Sequence, residues 1–218
     1  MEIIDLGKEN SVLNLYVSEL RDVKIQKDSL RFRKNIERIG EIMAYEISKR
    51  FDYSIKEVQS PLGIAQMSTP DDKVVISTIL RAGLPFHQGF LNCFDHAENA
   101  FVSAYRKYKD RLNFDIHIEY IASPNLTGKT LIITDPMLAT GSSMDLAYRA
   151  LLTKGVPEKI HVAAIISSKA ALEYIKNHLP HNNVTVWVAA IDQELNDHSY
   201  IVPGLGDAGD LAFGEKED

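Results

Sequence analysis

Between residues 74 and 190, short runs rich in β-branched residues alternate with stretches of helical periodicity, and this alternation restricts the fold more than any other feature of the chain. Val74–Leu80, Phe101–Tyr105, Leu131–Thr134, Ile160–Ile166 and Val184–Ala190 read as strands. Helices are expected over about 84–93, 143–154 and 168–178, the second closing at Gly155 with Pro157 beyond it. Such alternation predicts an α/β fold, a mostly parallel sheet flanked by helices on both faces. With 218 residues, 45% of them hydrophobic, the chain can fill a core, and a single domain over 1–218 is expected. Its region 1–72 reads as helix plus hairpin. Ile36, Ile39, Met43 and Ile47 recur at helical spacing in an amphipathic helix from Ser29, the expected cap, to about Arg50. The turn signal Ser60-Pro-Leu-Gly63 predicts a small hairpin within 53–67, off the main sheet. Phe114, Ile116, Ile118 and Tyr120 alternate with Asp115, His117 and Glu119, which predicts an extra strand in a flap.

Charge and cysteine content exclude several classes. A net charge of −6 argues against a dedicated nucleic-acid binder while leaving room for a local basic cluster. The single cysteine, Cys93, forbids an internal disulfide framework and fits a reducing compartment; it reads as a small buried apolar residue. The start Met1-Glu-Ile-Ile-Asp-Leu lacks the basic and apolar segments of a secretion signal, and no apolar run approaches the ~20 residues of a membrane helix, so a cytoplasmic protein is expected.

Ligands of open parallel sheets bind beyond the carboxyl ends of the strands. Here those ends carry Arg81, Arg106, Asp135 and the Ile191-Asp192-Gln193 segment. The run Leu131-Ile-Ile-Thr-Asp135-Pro-Met-Leu-Ala-Thr140-Gly-Ser-Ser143 leads an apolar strand into a turn of hydroxyls and glycine at a helix amino terminus, where unpaired N–H groups and the dipole favour an anion. A carboxylate beside a phosphate cradle suits a phosphorylated sugar. Arginine binds phosphate oxygens in pairs, so Arg81 and Arg106 are candidates for a diphosphate.

Three other motifs fail on context. Pro203-Gly204-Leu-Gly206-Asp-Ala-Gly209 has dinucleotide-loop glycines but too little chain after it, and Thr127-Gly-Lys-Thr130 precedes a strand where a P-loop precedes a helix. His178 and His181 lack the companion ligands of a zinc site.

Asp135-Pro-Met-Leu-Ala-Thr-Gly-Ser-Ser143 resembles the phosphoribosyl diphosphate (PRPP) loop of uracil phosphoribosyltransferases. Ile79-Leu-Arg-Ala-Gly-Leu84 and Tyr105-Arg106 are similar to two further PRPP-binding segments, and Ile191 to Asp210 resembles the family's uracil-binding loop, placed at 191–214. The resemblance implies a type I phosphoribosyltransferase fold and an enzyme converting uracil and PRPP to UMP and diphosphate, in pyrimidine salvage. It assigns PRPP binding to Arg81, Arg106, Asp135, Pro136, Met137, Leu138, Ala139, Thr140, Gly141, Ser142, Ser143 and Asp207. Uracil binding falls to Ile201, Gly206, Asp207 and Ala208, and catalytic roles to Asp207 and Arg106. It further implies Mg2+ carried by the diphosphate rather than held by protein ligands, a homodimer or larger homo-oligomer, and GTP activation as in some relatives, for which no residue here is diagnostic.

The chain departs from the family pattern at several places. Ser142 replaces the second glycine of the PRPP loop, and Glu194 and Ser199 stand where glycine is common. The hood at 107–123 diverges most; its Lys107, Lys109 and Arg111 could serve the diphosphate, although a solvated basic rim is the preferred reading. Two other readings compete: a phosphoribosyltransferase-fold regulator binding RNA, and a PRPP- or UMP-binding protein with weak catalysis.

Overall fold

The computed structural model describes residues 1–108, 114–180 and 182–217, and of 104–108 and 114–118 the backbone alone. The chain opens with β1 (Glu2–Asp5), α1 (Val12–Arg21) and α2 (Ser29–Ser48), followed by a hairpin of β2 (Tyr53–Ser60) and β3 (Gly63–Pro70). The alternating section comprises β4 (Val74–Leu80), α3 (Leu84–Leu91), β5 (Glu98–Tyr108), β6 (Phe114–Ala122), β7 (Thr130–Thr134), β8 (Met137–Leu138), α4 (Ser142–Leu152), β9 (Lys159–Ser168), α5 (Lys169–His178) and β10 (Val184–Asp192). A tail follows with β11 (Glu194–Leu195), β12 (Ile201–Val202) and α6 (Ala208–Phe213).

The main sheet runs β1-β10-β9-β7-β4-β5-β6, with β8 paired to β9. All its pairings are parallel except β5 with β6. The period-two alternation of the strands divides the core. Ile76, Ile132, Ala163, Ile165, Trp187 and Ala189 face α1, α2, α3 and α6; Val75, Ile133, Val162, Ala164, Val186 and Val188 face α4 and α5. Because both faces are covered, the central strands are buried along their length and mostly apolar, as in β7, where every residue is buried and Thr130 and Thr134 flank Leu131, Ile132 and Ile133.

Helix starts follow local chemistry. Ser11 Oγ accepts from Leu13 N at 3.2 Å while Asn14 Oδ1 accepts from Ser11 N at 2.9 Å, which begins α1. Asp28, not Ser29, caps α2: its carboxylate accepts from Arg31 N at 3.1 Å, and Ser29 becomes the first helical residue. The second correction concerns Cys93. The helix α3 buries Phe86 and Phe90, one turn apart, and ends at Leu91, so Cys93 falls in the turn beyond it and is exposed, its Sγ 3.6 Å from Glu41 O. The expected flap strand, β6, is an edge of the main sheet. Since β4 ends opposite Ser103, the β5–β6 hairpin continues past its neighbour through residues 104–108 and 114–118, overhanging the carboxyl edge. Among the described residues no helix is long and apolar enough to cross a membrane.

Candidate active site

The chain leaves β4 in two directions. It passes through α3 to β5 on one side, and from the β5–β6 hairpin it returns to β7 on the other; α3 and α4 then lie on opposite faces. The reversal makes the carboxyl ends of β4 and β7 a topological switch point, the place where open α/β sheets receive ligands. Arg81 leaves the tip of β4 and Asp135 the tip of β7. The two strands are cross-tied at these tips, with Thr134 Oγ1 donating to Ser77 O at 3.0 Å.

The loop after β7 is held from below. Ile165 N and Ile166 N both donate to Pro136 O, and Asp135 Oδ1 accepts from Met137 N at 3.3 Å. Leu138 is buried in the core on the α4 and α5 side, so Pro136 and Leu138 anchor the loop while Thr140, Ser142 and Ser143 stay partly accessible. Ser168 Oγ donates to Ala139 O at 2.6 Å and also accepts from Ala171 N, tying the loop to the start of α5. Gly141 takes φ +83°, which favours glycine, and a Cβ there would also crowd Ala171 O and Tyr174 Cδ1 at 3.1 Å. The helix α4 begins at Ser142 with no side chain at its N-cap, Gly141; Ser142 N donates to Thr140 Oγ1 at a long 3.4 Å, and such a helix start suits an anion. Ser142 sits in helical backbone, and its hydroxyl lies 2.6 Å from Thr140 Oγ1. Serine in place of glycine therefore adds a hydroxyl to this turn without strain.

The carboxyl-terminal tail folds onto the same edge. Asp207 caps α6, accepting from Gly209 N at 2.9 Å and Asp210 N at 3.0 Å. Asp210 Oδ1 in turn meets Arg81 Nη2 at 3.0 Å, and Arg81 Nη1 and Nη2 both stand 3.5 Å from Gly214 O. Ile201 pairs with Leu195 in the short β11–β12 ladder and is buried; the chain then turns so tightly that a Cβ on Gly204 would lie 2.1 Å from Ile201 O. Gly206 is exposed and Ala208 buried. Ser199 adopts φ +61°, a conformation that glycine takes without penalty, while Glu194 pairs with Val202 in ordinary strand geometry.

The structure thus brings Arg81 to the tail and sets the 135–143 loop on the neighbouring strand tip. Arg106 lies in β5 opposite Ile116, on the overhanging hairpin; its side chain, like those of Tyr105 and Lys107, and residues Lys109 and Arg111 altogether, lie outside the described residues. His181 does too, while His178 stacks on Tyr174 with ring centroids 3.8 Å apart. Asp192, expected at the ligand edge, is instead turned to the tail's backbone and to Arg21. Sequence reasoning missed three residues of this edge: Asp210 as the partner of Arg81, Ser168 as the tie under Ala139, and Arg21. A serine directly after a strand and before a helix was the available signal for Ser168; a pairing over more than a hundred residues leaves none.

Comparison with known proteins bears on what such an edge serves. A family model described as uracil phosphoribosyltransferase matches residues 8–215. A Porphyromonas gingivalis protein named uracil phosphoribosyltransferase is 68% identical over 216 residues, covering 99% of this chain and 100% of the relative. One of the same name from Pyrococcus furiosus is 40% identical over 202 residues, covering 91% and 84%. The solved structure of the AQ2163 protein from Aquifex aeolicus, 31% identical, covers 97% of this chain and 98% of its own with a TM-score of 0.86. A family model over nearly the whole chain and a relative 68% identical along its full length together show that the chain belongs to the uracil phosphoribosyltransferase family.

Proposed function

We propose that this chain transfers the phosphoribosyl group of PRPP to N1 of uracil, giving UMP and diphosphate. The observation that carries this reading is the contact of Arg81, at the PRPP-like strand tip, with Asp210 in the helix that continues the uracil-like loop. A sugar phosphate and a flat base held by these two segments would be neighbours.

In this reading the N–H groups and hydroxyls from Ala139 to Ser143 hold the 5-phosphate, and Asp135 takes the ribose hydroxyls. Arg81 and Arg106 neutralise the diphosphate as it leaves. Backbone N–H groups at Gly206 and Ala208 and the carbonyl of Ile201 read uracil, which offers two acceptors and an N3–H donor. Cytosine would present its amino group to an N–H donor and leave both unpaired, a mismatch that a hydrogen-bonding site penalises heavily. Uracil N1 attacks ribose C1 from the face opposite the diphosphate as the C1–O bond to diphosphate breaks, the N1 proton passing to water, through an oxocarbenium-like transition state, so the protein's work is positioning and electrostatics. The carboxylate of Asp207 faces the developing positive charge.

Magnesium fits this site as a companion of the ligand. Among the described residues no three His, Cys, Asp or Glu side chains converge on a metal position, while Asp207 could meet a hydrated cation through its waters. When bound, Mg2+ supplies charge neutralisation on the diphosphate. The exposed apolar side chains of the β2–β3 hairpin, Tyr53, Ile55 and Ile64 on one face and Val58 and Met67 on the other, favour a homo-oligomer. A cytoplasmic setting agrees with the substrates.

A steady-state assay with uracil and Mg-PRPP tests the proposal. UMP formation at an ordinary enzymic rate, with orotate, cytosine and purine bases at least about 100-fold poorer, is expected. Absence of UMP, or preference for another base, would overturn it.

A further inference from the structure

The amino-terminal helices are the part of the chain to which the reaction assigns no task, yet they hold the tail by its backbone. Arg21, in the last turn of α1, grips Asp192 with both ends of its guanidinium, Nη1 to Oδ2 and Nη2 to Oδ1, each at 2.8 Å. The same Nη1 donates to Gly204 O at 3.0 Å, and Asp192 Oδ2 accepts from Gly204 N at 2.9 Å. Both polar groups of one loop residue are therefore fixed by a single ion pair. Next in line, Gln26 Nε2 donates to Leu205 O at 3.1 Å while also bonding Leu20 O at 2.7 Å. Asp192 closes β10, so the clamp hangs the 204–205 turn between a rigid strand end and a helix end. Its side chain is 8% exposed and that of Arg21 23%, which keeps water from competing for these bonds.

We propose that Arg21 is a positioning residue for recognition of the base: acting through Asp192 and Gly204, it sets the backbone at 201–206 at the height where its carbonyl and N–H groups meet the ring, while Asp207 is held separately as the cap of α6. The inference rests on reading 201–208 as the base-binding segment. Displacement of such groups by about 1 Å costs of the order of 10²-fold. The bonds of Arg21 reach Asp192 and Gly204, and neither Arg81 nor the 135–143 loop is among their partners. Its loss should consequently act on one substrate and spare the other, a split that loss of stability alone does not produce.

The test measures KM for each substrate in Arg21→Met, Arg21→Lys and Gln26→Ala, together with amide exchange in the folded proteins. Arg21→Met is expected to raise KM for uracil about 10-fold or more with KM for PRPP within twofold, and Arg21→Lys, which keeps charge but not the two-pronged grip, to fall between it and the parent. Exchange of the amides at 204–206 should quicken at least 10-fold in Arg21→Met while those of β4 and α4 stay as in the parent. Should Arg21→Met fail to fold, Gln26→Ala, which strands no buried charge, carries the same test with an expected threefold rise in KM for uracil alone. Equal shifts in both KM values, or a folded variant with unchanged uracil KM and unchanged 204–206 exchange, would overturn the proposal. A parent protein inactive on uracil would instead defeat the base-binding reading, and the exchange data would still decide whether Arg21 fixes the turn.

Discussion

His161 gives the chain a pH-dependent stability whose size and location can be stated in advance. The ring sits near the start of β9, 3% exposed, between Phe51 and Trp187 at centroid distances of 6.3 Å and 6.1 Å. Trp187 Nε1 donates to its Nδ1 at 3.2 Å, so Nδ1 is an acceptor and the ring neutral, while Nε2 is buried without a hydrogen-bond partner among the described residues. Burial pushes its pKa from 6.5 down to about 4; Asp72 opposes that shift and Lys159 and Arg50 add to it. The folded state therefore prefers the neutral ring, and the unfolded chain binds the proton first. Stability from this group is complete above pH 6.5, declines as pH falls, and is fully lost below pH 4. The whole effect amounts to about 3 kcal/mol, of which about 2 kcal/mol falls between pH 7 and pH 5.

Urea denaturation followed by the fluorescence of Trp187, the single tryptophan, measures it. The comparison is with His161→Asn, whose amide oxygen can replace Nδ1 as acceptor for the indole N–H. His87, also buried and lowered, leaves both proteins a residual slope of the same sign. The parent should lose about 2 kcal/mol more than the variant on going from pH 7 to pH 5. Parallel pH profiles for the two proteins would refute the assignment of this titration to His161.

Three further outcomes follow from the candidate site. Asp207→Ala removes a carboxylate and a helix cap together, the cap alone worth about 1 kcal/mol; Asp207→Ser keeps the cap, so it should melt like the parent and still lose about 10²-fold in turnover. Gly141→Ala, forced to hold φ +83° against Ala171 O, should lose about 1–2 kcal/mol in urea titration and raise KM for PRPP several-fold at constant KM for uracil. Asp210→Asn releases Arg81 from an exposed ion pair worth about 0–1 kcal/mol, so KM for PRPP should fall up to about fivefold; a rise would mean that Asp210 serves the ligand instead.

The readable parts of the sequence were those where one residue type answers one physical demand. The strand Val74–Leu80 is found at the bounds its apolar run indicates, because a strand buried on both faces has little freedom of composition. The turn that carries the chain from β7 to α4 was legible for a related reason, since its left-handed position at Gly141 favours glycine. The strand Glu2–Asp5 was not: its four residues carry no period, and β10 alone, paired from Thr185 to Val188, makes them a strand. The six residues of α6 are likewise too few for periodicity, and Asp207 marks their start only once the tail is seen to turn there. The role of Asp192 depends on a partner 171 residues earlier, and a polar strand end reads the same whether it meets a ligand or the protein itself.

Two arginine–carboxylate pairs tie the tail from Asp192 to Gly214, and their inequality dictates which end can answer a ligand. Arg21 and Asp192 form a two-pronged pair with the carboxylate 8% exposed, and removing one partner of such a pair costs about 3–5 kcal/mol because a buried charge is left behind. Arg81 and Asp210 share one contact at 3.0 Å with side chains 43% and 29% exposed, a bond worth about 0–1 kcal/mol. A diphosphate at Arg81 can replace Asp210 almost without net cost, since one charge-assisted bond is exchanged for others. The same exchange at Arg21 would strand a carboxylate. On the proposed reading, the turn that reads the base is set before any ligand arrives, and the response to PRPP is confined to the Asp210 end of the tail.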